Sequence, residues 1–118
     1  MIAHVTVRTG KLKETLEFYQ WLLGLSVSRK LNTPTGKIIF LGENETKLEL
    51  IEDNSAEKIN AIGLTIGFAV DNLDEKIAML DGEQIPHSKI LSPIPNVRFI
   101  FFNDLNGCEI QLIDGNNK

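Results

Sequence analysis

The chain has one cysteine, Cys108, among 118 residues. A single thiol excludes an intramolecular disulfide and any zinc site built on several cysteines, and it fits a reducing compartment. No apolar run approaches the roughly 20 residues that span a bilayer, so no membrane partner is expected. The opening "MIAHVTVR" has no signal peptide's apolar stretch and reads as a strand, which points to the cytoplasm. A basic cluster is also missing: 12 Lys and Arg are scattered among 16 Asp and Glu, for a net charge of −4. No patch for phosphates is visible, so no nucleic-acid partner is expected. What is there, 42% apolar and 24% charged residues, is ordinary for a soluble globular protein long enough to bury a real interior.

The chain repeats itself. Shifted by 61 residues, "IAHVTVRTGKLKETLEFY" lies on "GLTIGFAVDNLDEKIAML", so that Leu12 meets Leu73, Leu16 meets Ile77 and Tyr19 meets Leu80. Towards the end of each half, an offset of 62 sets "GKIIFLGENETKLELIE" beside "RFIFFNDLNGCEIQLID". Element order and apolar phase agree over nearly the whole length. The reading is one domain, 1–118, built from duplicated modules at about 1–53 and 62–114, with "EDNSAEKINAIG" as an exposed linker.

Each module resolves into one helix and about four strands. In the first, residues 2–8 alternate as a strand, and Leu12, Leu16, Tyr19 and Leu23 have helical spacing over 12–23, with Gly24 at the helix end. Strands are expected near 25–31, 37–41 and 46–52, separated by the turns "NTPTG" and "GENET". In the second, strands are expected near 64–70, 84–90, 97–102 and 108–113, and Asp71 is expected to cap the helix, with Asp74 and Glu75 in its first turn. The order βαβββ, twice, predicts an α+β fold: two curved mixed sheets around a concave site, with helices on the outer face. The concave side, away from the helices, is where a ligand would go.

Alternation then assigns faces. Val5 and Val7 belong beneath the first helix, which leaves His4, Thr6 and Arg8 facing the concavity. In "KLELIE", Leu48 and Leu50 form the apolar face and Glu49 lies opposite; in "EIQLID", Ile110 and Leu112 are apolar and Gln111 lies opposite. Thr65, Gly67 and Ala69 face inward from the matching strand of the second half. Four related positions thus carry His4, Glu49, Thr65 and Gln111, since 65 minus 4 is 61 and 111 minus 49 is 62.

The stretches "HVTVRTGKLKETLEFYQWLLGL", "KLELIE", "GFAVDNLDEKIAML" and "FNDLNGCEIQLID" resemble the vicinal oxygen chelate superfamily: glyoxalase I, bleomycin-resistance and fosfomycin-resistance proteins, and extradiol dioxygenases. The last stretch is similar to that family's DPDGxxIEL ending, with Asn106-Gly107 as the tight turn. The resemblance covers nearly the whole chain and implies its fold. One fold of this kind hosts isomerases, dioxygenases, transferases and non-catalytic binders.

In metal-using members the four inward positions supply His or Gln, Glu, His and Glu. His4 and Glu49 match that pattern, whereas Thr65 stands where a His is expected and Gln111 where a Glu is expected. A neutral hydroxyl is a poor transition-metal ligand, and an amide oxygen binds metal but takes no proton at neutral pH. The fosfomycin and dioxygenase patterns need both missing residues and are disfavoured. Two readings stay open. One is a lactoylglutathione-lyase-like lyase or isomerase holding one divalent ion (nickel, zinc, manganese, cobalt or iron) on His4, Glu49 and Gln111, with Glu49 and Gln111 catalytic. The other is a metal-free binder that sequesters an antibiotic or other small molecule, in which His4, Thr6, Thr65 and Gln111 hydrogen-bond the ligand. Arg8 corresponds to an arginine that holds a glutathione carboxylate in glyoxalase I, or it is a surface or interface arginine. "ELIED", with Asp53 in place of the family's asparagine, weakens glutathione recognition. Trp21 and Phe18 read as core or interface, His87 as a loop residue and Cys108 as a small buried apolar group. Proteins of this family and size are usually homodimers, and the Lys-, Asn- and Ile-rich usage suggests a bacterial source.

Overall fold

The alternating strand β1 (His4–Thr9) runs straight into helix α1 (Leu12–Leu23). Lys11 donates its backbone N–H to the Thr9 hydroxyl at 2.9 Å, and the Thr15 hydroxyl donates to the Lys11 carbonyl at 2.7 Å. Threonines on either side thus tie the turn between strand and helix together, while no side chain caps the first N–H groups of α1. Gly24, at φ 64°, ends the helix and donates to the Gln20 carbonyl, a left-handed cap that glycine adopts without steric cost. The protein, seen here in a computed structural model, is described over residues 1–115; its two compact units are Met1–Lys58 and the part from Ile59 onward.

Strands β2 (Val27–Thr33), β3 (Gly36–Leu41) and β4 (Lys47–Glu52) complete the first unit. The sheet order is β1-β4-β3-β2, with β1 parallel to β4 and the other neighbours antiparallel. Helix α1 packs on β4. Its buried stripe is Leu12, Thr15, Tyr19 and Leu22. Leu16 and Leu23, expected in that stripe, are only half-buried; residues 12, 15, 19 and 22 keep the tighter helical register. Trp21 is 39% exposed rather than core, and Phe18 stacks against it at 6.0 Å.

The second unit has β5 (Ile66–Val70), α2 (Leu73–Gly82), β6 (Phe99–Asn103) and β7 (Glu109–Asp114). Its sheet order is β5-β7-β6, again with a parallel pair, β5 and β7. The two sheets, of four and three strands, and the two helices make an α+β fold. Asn72, not Asp71, caps α2: its side chain accepts the Glu75 N–H at 3.0 Å.

The expected strand over 84–90 is absent, and only the isolated pairings His87↔Phe102 and Leu91↔Phe99 remain. The cause is local. Pro86 has no N–H to give. The Ser88 hydroxyl, not its carbonyl, accepts the Phe101 N–H at 3.0 Å, and the Ser88 carbonyl instead meets His87 Nδ1 at 2.6 Å. The ladder is broken where histidine and serine side chains take it over.

His87 Nε2 lies 2.7 Å from Asp81 Oδ1 on α2. A carbonyl and a carboxylate both accept, so these two contacts favour the doubly protonated ring of His87. The Ser88 carbonyl, and then Asp81, raise its pKa above the ordinary 6.5. A raised histidine pKa stabilises the fold fully below about 6.5, and that contribution fades as pH rises through the raised value. Because Asp81 is 62% exposed, the pair contributes at the low end for charge-assisted bonds, about 1 kcal/mol. His87→Gln should therefore lower urea stability by about 1 kcal/mol near pH 6 and by little near pH 9. A gap between the two proteins that stays constant across this range would exclude the imidazolium as its source.

Candidate functional site

Parallel pairing of β1 with β4 puts Thr6 beside Glu49, His4 beside Lys47 and Arg8 beside Ile51, all on the face away from α1. The Thr6 hydroxyl donates to Glu49 Oε1 at 2.5 Å, and His4 Nε2 lies 3.4 Å from the same oxygen. Glu49 is only 9% exposed although it lies on the helix-free face. Its neighbour on the other side is Phe40, whose ring sits 5.7 Å from that of His4 at 79°. A buried carboxylate with one hydroxyl and one imidazole on it is costly to retain for stability alone. It is the chemically distinctive group of this unit.

In the second unit Thr65 stands just before β5, and its hydroxyl donates to Glu109 on β7. Gly67 pairs with Gln111; a Cβ at Gly67 would come within 3.0 Å of Gln111 Oε1. The missing side chain leaves room for the amide. The structure therefore brings His4, Thr6 and Glu49 into contact in one unit, and sets Thr65 and Gln111 on one face of the other. Arg8 is exposed, and its charge helps a little to hold the Asp53 carboxyl below its usual range, although hydrogen bonds from Ser55 do most of this. Asp53 thus serves a turn, accepting from Ser55 N and Oγ at 3.0 and 2.6 Å. Cys108 is half-buried, and burial pushes its thiol up to about 11, which leaves it a poor nucleophile.

Residue periodicity missed two aromatic neighbours. Phe40 pairs with Glu49 and Phe101 with Gln111, so these phenylalanines occupy equivalent places. That equivalence needs an offset of 61 between β3 and β6, not 62, since 101 minus 40 is 61. The offset becomes 62 only at β4 and β7. The extra residue lies in the turn: buried Leu41 and Leu48 are 7 apart, whereas buried Phe102 and Ile110 are 8 apart. The runs "IIFL" and "FIFF" are apolar throughout, so alternation carried no phase there; the differing spacing of the flanking apolar residues was the available signal.

Residues 1–112 match the family model of the Glyoxalase/Bleomycin resistance protein/Dioxygenase superfamily. The chain belongs to that superfamily. Among solved structures of similar fold, the trypanothione-dependent glyoxalase I of Leishmania major is 24% identical at a TM-score of 0.76, covering 98% of this chain and 87% of its own. A glyoxalase family protein from Enterococcus faecalis is also 24% identical at 0.76, covering 97% of each chain. The fosfomycin resistance protein FosX of Listeria monocytogenes, complexed with Mn(II) and sulfate, is 16% identical at 0.78, covering 98% of this chain and 90% of its own. No functionally curated protein matches the sequence.

Superfamily members of this kind raise the question of a metal. Among the described residues no three His, Cys, Asp or Glu side chains are grouped to hold one. His4 and Glu49 are two good donors, but Thr65 spends its hydroxyl on Glu109 and Gln111 offers a neutral amide. This donor set does not fit a four-ligand transition-metal centre.

If Glu49 is kept for a ligand rather than for the fold, its replacement should not harm stability. Glu49→Leu should leave urea stability unchanged or raise it by about 1 kcal/mol, because the desolvation cost goes with the charge. Thr6→Val, which strips the same buried carboxylate of its donor, should cost about 1–2 kcal/mol. A large loss in Glu49→Leu would make the carboxylate a structural group.

Proposed function

We propose that this protein binds a small molecule on the helix-free faces of its sheets and sequesters it without a metal-centred reaction, after the manner of bleomycin-resistance proteins. The observation that carries this reading is the Glu49 carboxylate, buried and already held by Thr6 and His4 at 2.5 and 3.4 Å. Such a group is preorganised to accept a ligand's N–H or O–H, and hydrogen bonds to charged acceptors are the strong ones. In the second unit Thr65 and Gln111 offer neutral polar groups, and in the first the arginines at the sheet edges offer a partner for an anionic group. The protein works as a cytoplasmic homodimer, in which a second copy covers open sheet surface.

The competing reading is a lyase or isomerase with a divalent ion on His4, Glu49 and Gln111. What favours it is the closeness of His4 and Glu49, and the Mn(II) in the FosX structure. The residues present give such a centre too few strong donors and no carboxylate at position 111.

Metal analysis separates the two. Purified protein, incubated with nickel, zinc, manganese or cobalt and freed of excess, should retain well below one equivalent, with His4→Ala unchanged. Retention near one equivalent that His4→Ala abolishes would transfer the assignment to the metal-dependent enzyme.

A further inference from the structure

The strand register fixes more of the helix-free face than its polar groups. Two neighbouring rows cross the first sheet: Thr6, Glu49, Phe40, Arg29 and, beside it, Arg8, Ile51, Ile38, Leu31. Phe40, Ile51, Ile38 and Leu31 are all half-buried and form a continuous apolar floor. Arginines stand at opposite edges, Arg8 on β1 and Arg29 on β2, three strand spacings or about 14 Å apart across the sheet.

The charge of this face departs from that of the chain. Arg8, Arg29 and Lys47 against Glu49 give +2 (3 minus 1), within a protein of net charge −4. Lys47 is committed, since its ammonium donates to the carbonyls of Glu43 and Glu45 in the β3–β4 turn. Arg8 is partly engaged by the charge of Asp53. Arg29 is exposed and immediately neighbours Phe40. A ring beside a guanidinium, over an apolar floor, matches a flat apolar body carrying a negative charge.

We infer that the first sheet's helix-free face selects aromatic anions, with Phe40 contacting the ligand's ring and Arg29 pairing with its charge. This rests on the small-molecule-binding reading and adds the ligand class and two specificity-determining residues. Glu49, held by Thr6 and His4, then penalises a second negative charge placed over it, so the preferred ligand carries its charge at one end.

The test uses the full chain and two probes with one headgroup, naphthalenesulfonate and butanesulfonate, followed by amide chemical-shift titration. The aromatic probe should bind more tightly and shift β2, β3 and β4. Phe40→Leu, which keeps apolar volume but removes the ring, should cut the aromatic-over-aliphatic preference about fivefold, the worth of an aromatic pair. Arg29→Gln should weaken both probes alike. Lys30→Gln, which the pairing with buried Ile39 puts on the opposite face, should change neither.

Equal binding of the two probes on this face, or an unaltered preference in Phe40→Leu, overturns the ligand class and leaves small-molecule binding standing. A Lys30→Gln effect equal to that of Arg29→Gln overturns the pairing in favour of diffuse charge. No shift at β2, β3 and β4 with either probe overturns the first sheet's face as an anion-binding surface and leaves the functional reading to its own test.

Discussion

The constraint on which each unit depends is the parallel pairing of its first strand with its last. Parallel neighbours cannot be joined by a tight hairpin; the chain must cross over, and here it does so through a helix and the intervening strands. The crossover puts α1 over Leu48 and Leu50 and leaves the other face of β4 uncovered by it. Glu49 lies on that other face, and β1 reaches it from the side with Thr6 and His4. A slip of one residue in this pairing would send Glu49 into the core beneath the helix. Register, helix placement and the polar cluster are therefore one decision.

The same pairing explains which parts of the fold were legible in the sequence. Strands with one polar and one apolar face, such as "HVTVRT" and "KLELIE", show their orientation directly, and the His4–Glu49 relation followed from them. The segment 84–90 failed for a reason that periodicity does not encode: Ser88 satisfies Phe101 with its hydroxyl, freeing its carbonyl for the His87 ring. Propensity reads residues singly, whereas this exchange of partners involves three. Likewise Asp71 and Asn72 are both good caps, and only the backbone path selects Asn72. Phe40 and Phe101 were hidden because buried-strand runs carry no alternation; the pairing with Glu49 and Gln111 gave them their face.

Within the second unit, departures from the metal-binding pattern come in compensated pairs. Thr65 is matched by Glu109, one row from where a carboxylate would serve a metal, and Gln111 is matched by the absence of a side chain at Gly67. The space left at Gly67 is filled by the side-chain oxygen of Gln111, and the Glu109 carboxylate by the hydroxyl of Thr65. In the first unit Thr6 and His4 both meet one oxygen of Glu49.

The contrast gives the two halves of one repeated design different chemistry. The first presents a preorganised carboxylate among arginines and apolar side chains; the second presents a hydroxyl, an amide and a carboxylate engaged by that hydroxyl. Glu49 is buried, and no ladder hydrogen bond depends on its side chain. Two residues oriented onto one of its oxygens hold that carboxylate in a fixed geometry on the helix-free face. The fold supplies the placement, and Glu49 supplies the reason for placing it there.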